Sequence, residues 1–174
     1  MSQDDLSLLL QQLKHPDPQK RLEAVADLLD RRDARAVDAL LESLKDVDYR
    51  VRAWSASALG WIGDPRSAGA IAELLTESPQ ADWDTRINPP MCACFALALL
   101  RQTEPILPLL QHSDEHVRSL AVIALRYIGD RAILPNLQTL AENDPSTIVR
   151  DEAVDAIEAM RSSDFIPLWQ QFLD

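Results

Sequence analysis

The stretch D-Y-R-V-R-A-W-S-A-S-A-L-G-W-I-G-D, Asp48 to Asp64, decides the fold because the chain writes it twice. It returns as D-E-H-V-R-S-L-A-V-I-A-L-R-Y-I-G-D, Asp114 to Asp130. Both copies keep an Asp, then Val-Arg, then an apolar run at helical spacing, then Ile-Gly-Asp. The equivalent arginines, Arg52 and Arg118, are 66 residues apart, two periods of 33. A unit of that length points to a solenoid of stacked helix pairs.

Weaker copies extend the pattern along the chain. Arg21, Arg52, Arg86, Arg118 and Arg150 follow one another at steps of 31, 34, 32 and 32. Around them the sequence predicts helices over Leu6–Leu13, Pro18–Leu29, Ala36–Leu44, Arg50–Trp61, Ser67–Leu75, Met91–Leu100, Pro105–Leu110, Leu134–Glu142 and Phe165–Leu173, with a further one after Val149-Arg150. Gly63-Asp64-Pro65 is a stop signal: glycine takes the left-handed position after a helix and proline cannot continue the ladder. The expectation is one all-α domain spanning 1–174, a right-handed α-solenoid of about five antiparallel helix pairs. Its third repeat is irregular, because Ser78 to Pro90 is polar and holds three prolines. That stretch reads as an exposed loop.

One helix pair cannot bury both of its apolar faces; stacked neighbours can. Ala56, Ala58, Ala121 and Ala124 let helices approach closely. The Asp four residues before each repeat Arg can cap its own helix. The Arg can reach the neighbouring unit's Asp, making a ladder of charge-assisted bonds between repeats.

The pattern D-x-x-V-R-x-x-A-x-x-A-L-G-x-I-G-D, carried by Asp48, Val51, Arg52, Ser55, Ala58, Leu59, Ile62, Gly63 and Asp64, resembles the HEAT repeat. The likeness is to the short type found in phycobilisome-lyase-like proteins of the bilin lyase E/F kind. It covers nearly the whole chain, loosely in the first and last units and least in the third. The resemblance implies an α-solenoid that binds other proteins. It also implies an alternative, a subunit of a cyanobacterial phycobilisome bilin lyase or a phycobilisome-degradation factor, acting on phycobiliproteins. The implied partner is another protein, such as a phycobiliprotein or a second HEAT-repeat subunit. No catalytic motif of those branches is present to carry over, so the reading leans away from an enzyme. The di-iron HEAT branch, deoxyhypusine hydroxylase, uses His-Glu pairs, and this chain has three histidines and no His-Glu dipeptide.

The formal net charge is −11. Such a chain repels phosphate overall, which argues against nucleic acid and against adhesion to an anionic membrane. Glu142 to Asp174 is the most acidic part, with eight acids against two arginines. No apolar run is long enough to span a bilayer. The start, Met-Ser-Gln-Asp-Asp, lacks a basic n-region and an apolar h-region, so no secretory signal is expected. Cys92 and Cys94 stand two apart on a helix and point to different sides, unsuited to a mutual disulfide. Together these features predict a reducing, cytoplasmic setting.

The candidate partner-binding residues are Tyr49, Trp61, Asp82, Trp83, Asp84, Arg86, Arg126 and Tyr127. Tyr49, Trp61 and Tyr127 line the inner surface as aromatic anchors, or serve as inter-repeat core. Trp83 is the least core-like aromatic, set in the polar stretch Asp82-Trp83-Asp84-Thr85-Arg86. Trp169 and Phe172 either cap the last repeat or form an oligomer contact. His112 and His116 have the i, i+4 spacing of a metal pair, but metal sites need a third ligand. The stretch around them reads better as a carboxylate-rich surface loop. Cys92 and Cys94 read as a buried structural pair, Cys92 near enough to a helix start to leave reactivity open. No metal and no cofactor is expected, and no phosphate loop or catalytic triad pattern stands out.

Overall fold

The computed structural model describes residues 2–78 and 87–172; Asp82, Trp83, Asp84 and Arg86 lie outside the described residues. The described chain forms α-helices and 3-10 turns. The helices are α1 (Gln3–Gln12), α2 (Pro18–Arg31), α3 (Val37–Ser43), α4 (Tyr49–Ile62), α5 (Ala68–Glu73), α6 (Pro89–Leu100), α7 (Glu115–Ile128), α8 (Leu134–Asn143) and α9 (Thr147–Arg161). They pair in chain order as α1 with α2, α3 with α4, α5 with α6, and α8 with α9. The partner of α7 is a 3-10 segment, Leu107–Gln111, where the sequence pattern predicts an α-helix. The terminal helix expected over Phe165–Leu173 is likewise only a 3-10 segment, Leu168–Phe172.

Short polar caps explain where the helices begin. Asp17, Asp48 and Asp114 sit in extended conformation and accept the N–H two residues on, from Gln19, Arg50 and His116. Asp33, Asp64 and Asp130 do the same for the 3-10 turns that lead into α3, α5 and α8. The Ile-Gly-Asp of the repeat is therefore a stop and a start in three residues. Gly63 and Gly129 close α4 and α7 at φ 81° and 73°, and the following Asp opens the next element. Asn88 caps α6 by accepting from Met91 N–H at 3.0 Å, and Pro89 and Pro90 fill its first turn, one residue earlier than the sequence suggests.

Helices α2, α4, α6, α7 and α9 pack side by side in succession, while the first helix of each pair packs mainly on its own partner. These five helices, the inner row, form one tightly packed layer. Small residues make it tight: Ala56, Ala58, Ala93, Ala96, Ala98, Ala121, Ala124, Ala153 and Ala156 are essentially fully buried. Leu28, Leu40, Leu59, Ile71, Leu75, Leu97, Ile106, Leu125, Leu137 and Met160 supply the volume between the two rows. α4 and α6 approach closely at Gly60, where an added Cβ would stand 2.7 Å from Ala96 Cα.

The arginine ladder exists, with a different acid from the one expected. Arg21 grips Asp46 through Nε at 2.6 Å and Nη2 at 2.7 Å. Arg52 holds Glu77 at 2.9 and 2.7 Å, and Arg118 holds Asp144 at 2.8 Å through both nitrogens. The expected partner was the neighbouring cap Asp. The cap's carboxylate is already spent on its own helix, and for Asp48 also on the Arg50 side chain. The rung acid lies two residues before the cap in Asp46 and Asp144, where its second task is to accept the cap residue's N–H at 2.9 Å. The remaining guanidinium nitrogen donates to two carbonyls of the turn before its own helix, His15 and Pro16 for Arg21, and His112 and Ser113 for Arg118.

The first and fourth units place His15 and His112 at this position. Their Nδ1 atoms accept from Asp17 and Asp114 N–H at 3.0 and 3.1 Å. The imidazole keeps the capping task of the carboxylate but offers no partner for a bidentate rung.

Three outcomes follow from this packing. Gly60→Ala should destabilise by up to about 2 kcal/mol, the overpacking of about 1–3 kcal/mol less a helix-propensity gain of about 1; differential scanning calorimetry checks this. Arg118→Met and Asp144→Leu should each cost about 3–5 kcal/mol, and the double variant clearly less than their sum, since the singles strand a buried charge. Urea melts of the three chains measure the difference. Arg118 holds the Asp144 carboxyl below its ordinary value, so the stability it lends is complete above about pH 4 and drains away as pH falls through the lowered value. Asp144→Asn should accordingly flatten the acid limb of the stability profile.

Candidate functional site

The described structure gathers most of its aromatic side chains on the inner row. Trp61, near the end of α4, and Phe95, in the middle of α6, face each other with ring centroids 5.9 Å apart. Phe172, from the C-terminal segment, completes the cluster. It stands edge-on to Trp61 at 5.5 Å and to Phe95 at 5.3 Å. Edge-to-face pairs of this kind contribute roughly 0.5–1.5 kcal/mol each beyond their burial. Tyr127, near the end of α7, joins Ser57, Met91, Cys92, Phe95, Leu168 and Phe172 around a cleft of about 400 Å³.

The C-terminal segment reaches this face by turning back after α9. Ser162 to Asp164 makes the turn, and residues 165–172 run against the inner row instead of continuing the stack. Trp169 Nε1 donates to the Ile128 carbonyl at 3.0 Å, at the end of α7. Phe165 and Pro167 lie on Gly129, whose missing side chain makes the room: a Cβ there would meet Pro167 Cγ at 2.7 Å and Phe165 Cε1 at 2.9 Å. Trp169 and Phe172 thus lie over α4, α6 and α7, away from the end of the last repeat that the sequence had suggested for them.

Two arginines complete the site. After α4 and α7 the left-handed residue is glycine; after α2 and α6 it is Arg32 (φ 48°) and Arg101 (φ 53°). An L-residue costs roughly 1–2 kcal/mol in that region. Both arginines stand over tryptophans: Arg32 is 4.2 Å from the Trp61 ring centroid and Arg101 is 4.8 Å from that of Trp169. A cation over an indole face recovers about 0.5–1 kcal/mol at an exposed site. Both are solvent-exposed, so their charge is presented at the rim of an apolar patch on a strongly acidic protein.

The other expected residues fall elsewhere. Tyr49 is half-buried at the first residue of α4, twelve residues from Trp61, which puts it roughly 18 Å away along the axis. Arg126 is half-buried, with Nη1 3.5 Å from Glu152 Oε1 on α9 and its guanidinium 5.8 Å from the Tyr127 ring. Trp54 packs, partly buried, against the core. Phe95, Arg32 and Arg101 escaped the sequence reading. The signal that could have found the arginines is their position, where the repeat calls for glycine.

The two cysteines are free thiols. Cys94 is fully buried, its thiol 3.7 Å from the Leu120 carbonyl, and burial pushes its pKa up to about 12. Burial also raises Cys92, against an opposing bond from Ser57. Burial disfavours the thiolate, the reactive form, at both positions. His112 uses Nδ1 in its own turn and His116 is exposed. Among the described residues no cluster of three or more His, Cys, Asp or Glu is arranged to hold a metal ion. Nor is any helix among them long and apolar enough to cross a membrane.

The sequence matches the family profile described as HEAT repeats over residues 6–87 and 93–174. The chain belongs to the HEAT-repeat family. No curated protein matches it significantly by sequence. Among solved structures it is similar to a chain in the complex of CpcE and CpcF of phycocyanin lyase from Nostoc sp. PCC7120. That match has a TM-score of 0.59 and 22% identity over 90% of this chain, and spans 65% of the other, just under two thirds of its length. An engineered protein matches with a TM-score of 0.54, 23% identity, and coverage of 92% of this HEAT chain and 79% of its own. At these identities the likeness is one of fold.

The two repeat glycines now separate cleanly. Both have positive φ, but nothing lies within 4 Å of a Cβ at Gly63. Gly63→Ala should therefore cost only about 1–2 kcal/mol of backbone strain. Gly129→Ala carries the same strain and also drives residues 165–167 off α7. It alone should expose Trp169, seen as a red-shifted tryptophan emission and new protease cleavage after residue 162.

Proposed function

We propose that this chain is a protein-binding scaffold and that its inner helix surface, centred on Trp61, Phe95 and Tyr127, grips the partner. The observation that carries the reading is the rim: two arginines held in an unfavourable backbone region over half-buried tryptophan rings. Strained residues persist where surrounding structure holds them, and they concentrate at binding sites. Aromatic and arginine side chains are also the types that dominate interface energetics. A HEAT stack suits this task, since it displays a row of parallel helices as one continuous face.

The partner class is a protein, and an acidic or neutral segment of it fits the arginine rim better than a basic one. The likeness to a chain of the phycocyanin-lyase complex supports a solenoid that works beside another subunit. A bilin as ligand has no separate support in the geometry. The region 78–90, with Asp82, Trp83, Asp84 and Arg86, remains part of the proposed partner surface on its composition alone.

Affinity capture from the native cell compares the wild-type chain with Trp61→Ala/Phe95→Ala. The protein enriched by the wild type should be depleted at least tenfold with the variant, while helicity stays unchanged. Equal enrichment by both would sink the assignment of the inner face.

A further inference from the structure

The inner face is not empty in this structure: the chain's own residues 165–172 lie on it. We infer that this C-terminal segment is a cis occupant of the binding face, and that a partner segment of the same chemistry replaces it. The inference rests on the inner-face reading above. The chemistry is that of a short turn carrying two aromatic residues three apart, as Trp169 and Phe172 are, in an acidic sequence context.

Four observations carry this. First, the segment uses the contacts an interface anchor uses. Phe172 packs edge-on between Trp61 and Phe95, and Trp169 combines an indole hydrogen bond to a helix-end carbonyl with a cation above its ring. Second, the segment is held lightly. None of residues 162–172 is fully buried, Ile166 and Phe172 are 56% and 45% exposed, and its only regular structure is a five-residue 3-10 turn. Large apolar side chains that remain so exposed gain little from their own packing. Third, the fit is incomplete: the cleft of about 400 Å³ beside Leu168 and Phe172 leaves room for bulkier apolar groups from a replacement. Fourth, the face has a charged rim. Arg32 and Arg101 are exposed cations flanking it, and an acid, Asp164, immediately precedes the segment, whose own residues carry no charge.

The segment is tethered, so its effective concentration at the face is high, and an external segment must compete with it. A weakly packed intramolecular occupant keeps the aromatic face covered and still yields to a partner with better contacts.

The test uses a labelled peptide of residues 162–174 and fluorescence anisotropy with two full-length chains. Trp169→Ala/Phe172→Ala removes the anchors of the resident segment without touching the inner helices. Its affinity for the peptide should exceed that of the wild type at least tenfold, and adding Trp61→Ala/Phe95→Ala to the same chain should abolish binding. Gly129→Ala, which displaces the segment by a different route, should shift affinity in the same direction. Equal affinity of the wild type and the double variant would overturn the cis occupancy while leaving the inner face as a binding surface. Absence of binding by either chain, both folded by circular dichroism, would overturn the occupancy and the inner-face reading together.

Discussion

Each boundary described between units with a rung turns on one guanidinium. It binds the carboxylate of the next unit's turn with two parallel bonds and the carbonyls of its own preceding turn with the third nitrogen. At Asp46 and Asp144 the same carboxylate also accepts the N–H of the residue just before the following helix. A displacement of one unit against its neighbour therefore breaks the rung and loosens the turn into that helix at once. Such an ion pair, buried at Arg118–Asp144, adds little net stability over a well-packed apolar pair of the same shape. What it supplies is register. A slide by one turn breaks both bonds of the bidentate fork.

With register set at one end of the inner helices, the other end is free to vary. That is where the chain departs from its own pattern. Glycine follows α4 and α7, and arginine follows α2 and α6. Gly129 is open space filled by Phe165 and Pro167, whereas the equivalent Gly63 faces nothing. Equivalent positions of a repeat thus have different neighbours, and the differences cluster on the face where the C-terminal segment rests. A repeat built for stacking thus has one surface on which an aromatic turn rests.

The architecture was legible in the sequence because its signals are local. Asp48, Asp114, Gly63 and Gly129 act within a few residues of themselves, and caps and stops of that kind can be read without coordinates. The ladder was half legible. Its arginines recur at a fixed period, but its acids, Asp46, Glu77 and Asp144, sit beside more conspicuous cap residues, and only geometry shows which carboxylate is already occupied. The aromatic site was the least legible. Trp61, Trp169 and Phe172 stand out as residue types, yet nothing in a repeat predicts that its last segment turns back across three units. Phe95 looked like one more apolar position of α6, and the arginine pair is explained only by the rings beneath it.

The placement of these two kinds of contact has a mechanical side. The inner helices run parallel, so every described rung lies along one margin of the stack, at their first turns, and the aromatic contacts and Arg32 and Arg101 lie toward the opposite margin. Short bidentate bonds make the first margin nearly inextensible. Ring contacts and a lightly held strap leave the second compliant. The two margins therefore differ in what holds them: short charge-assisted bonds along the first, ring contacts along the second.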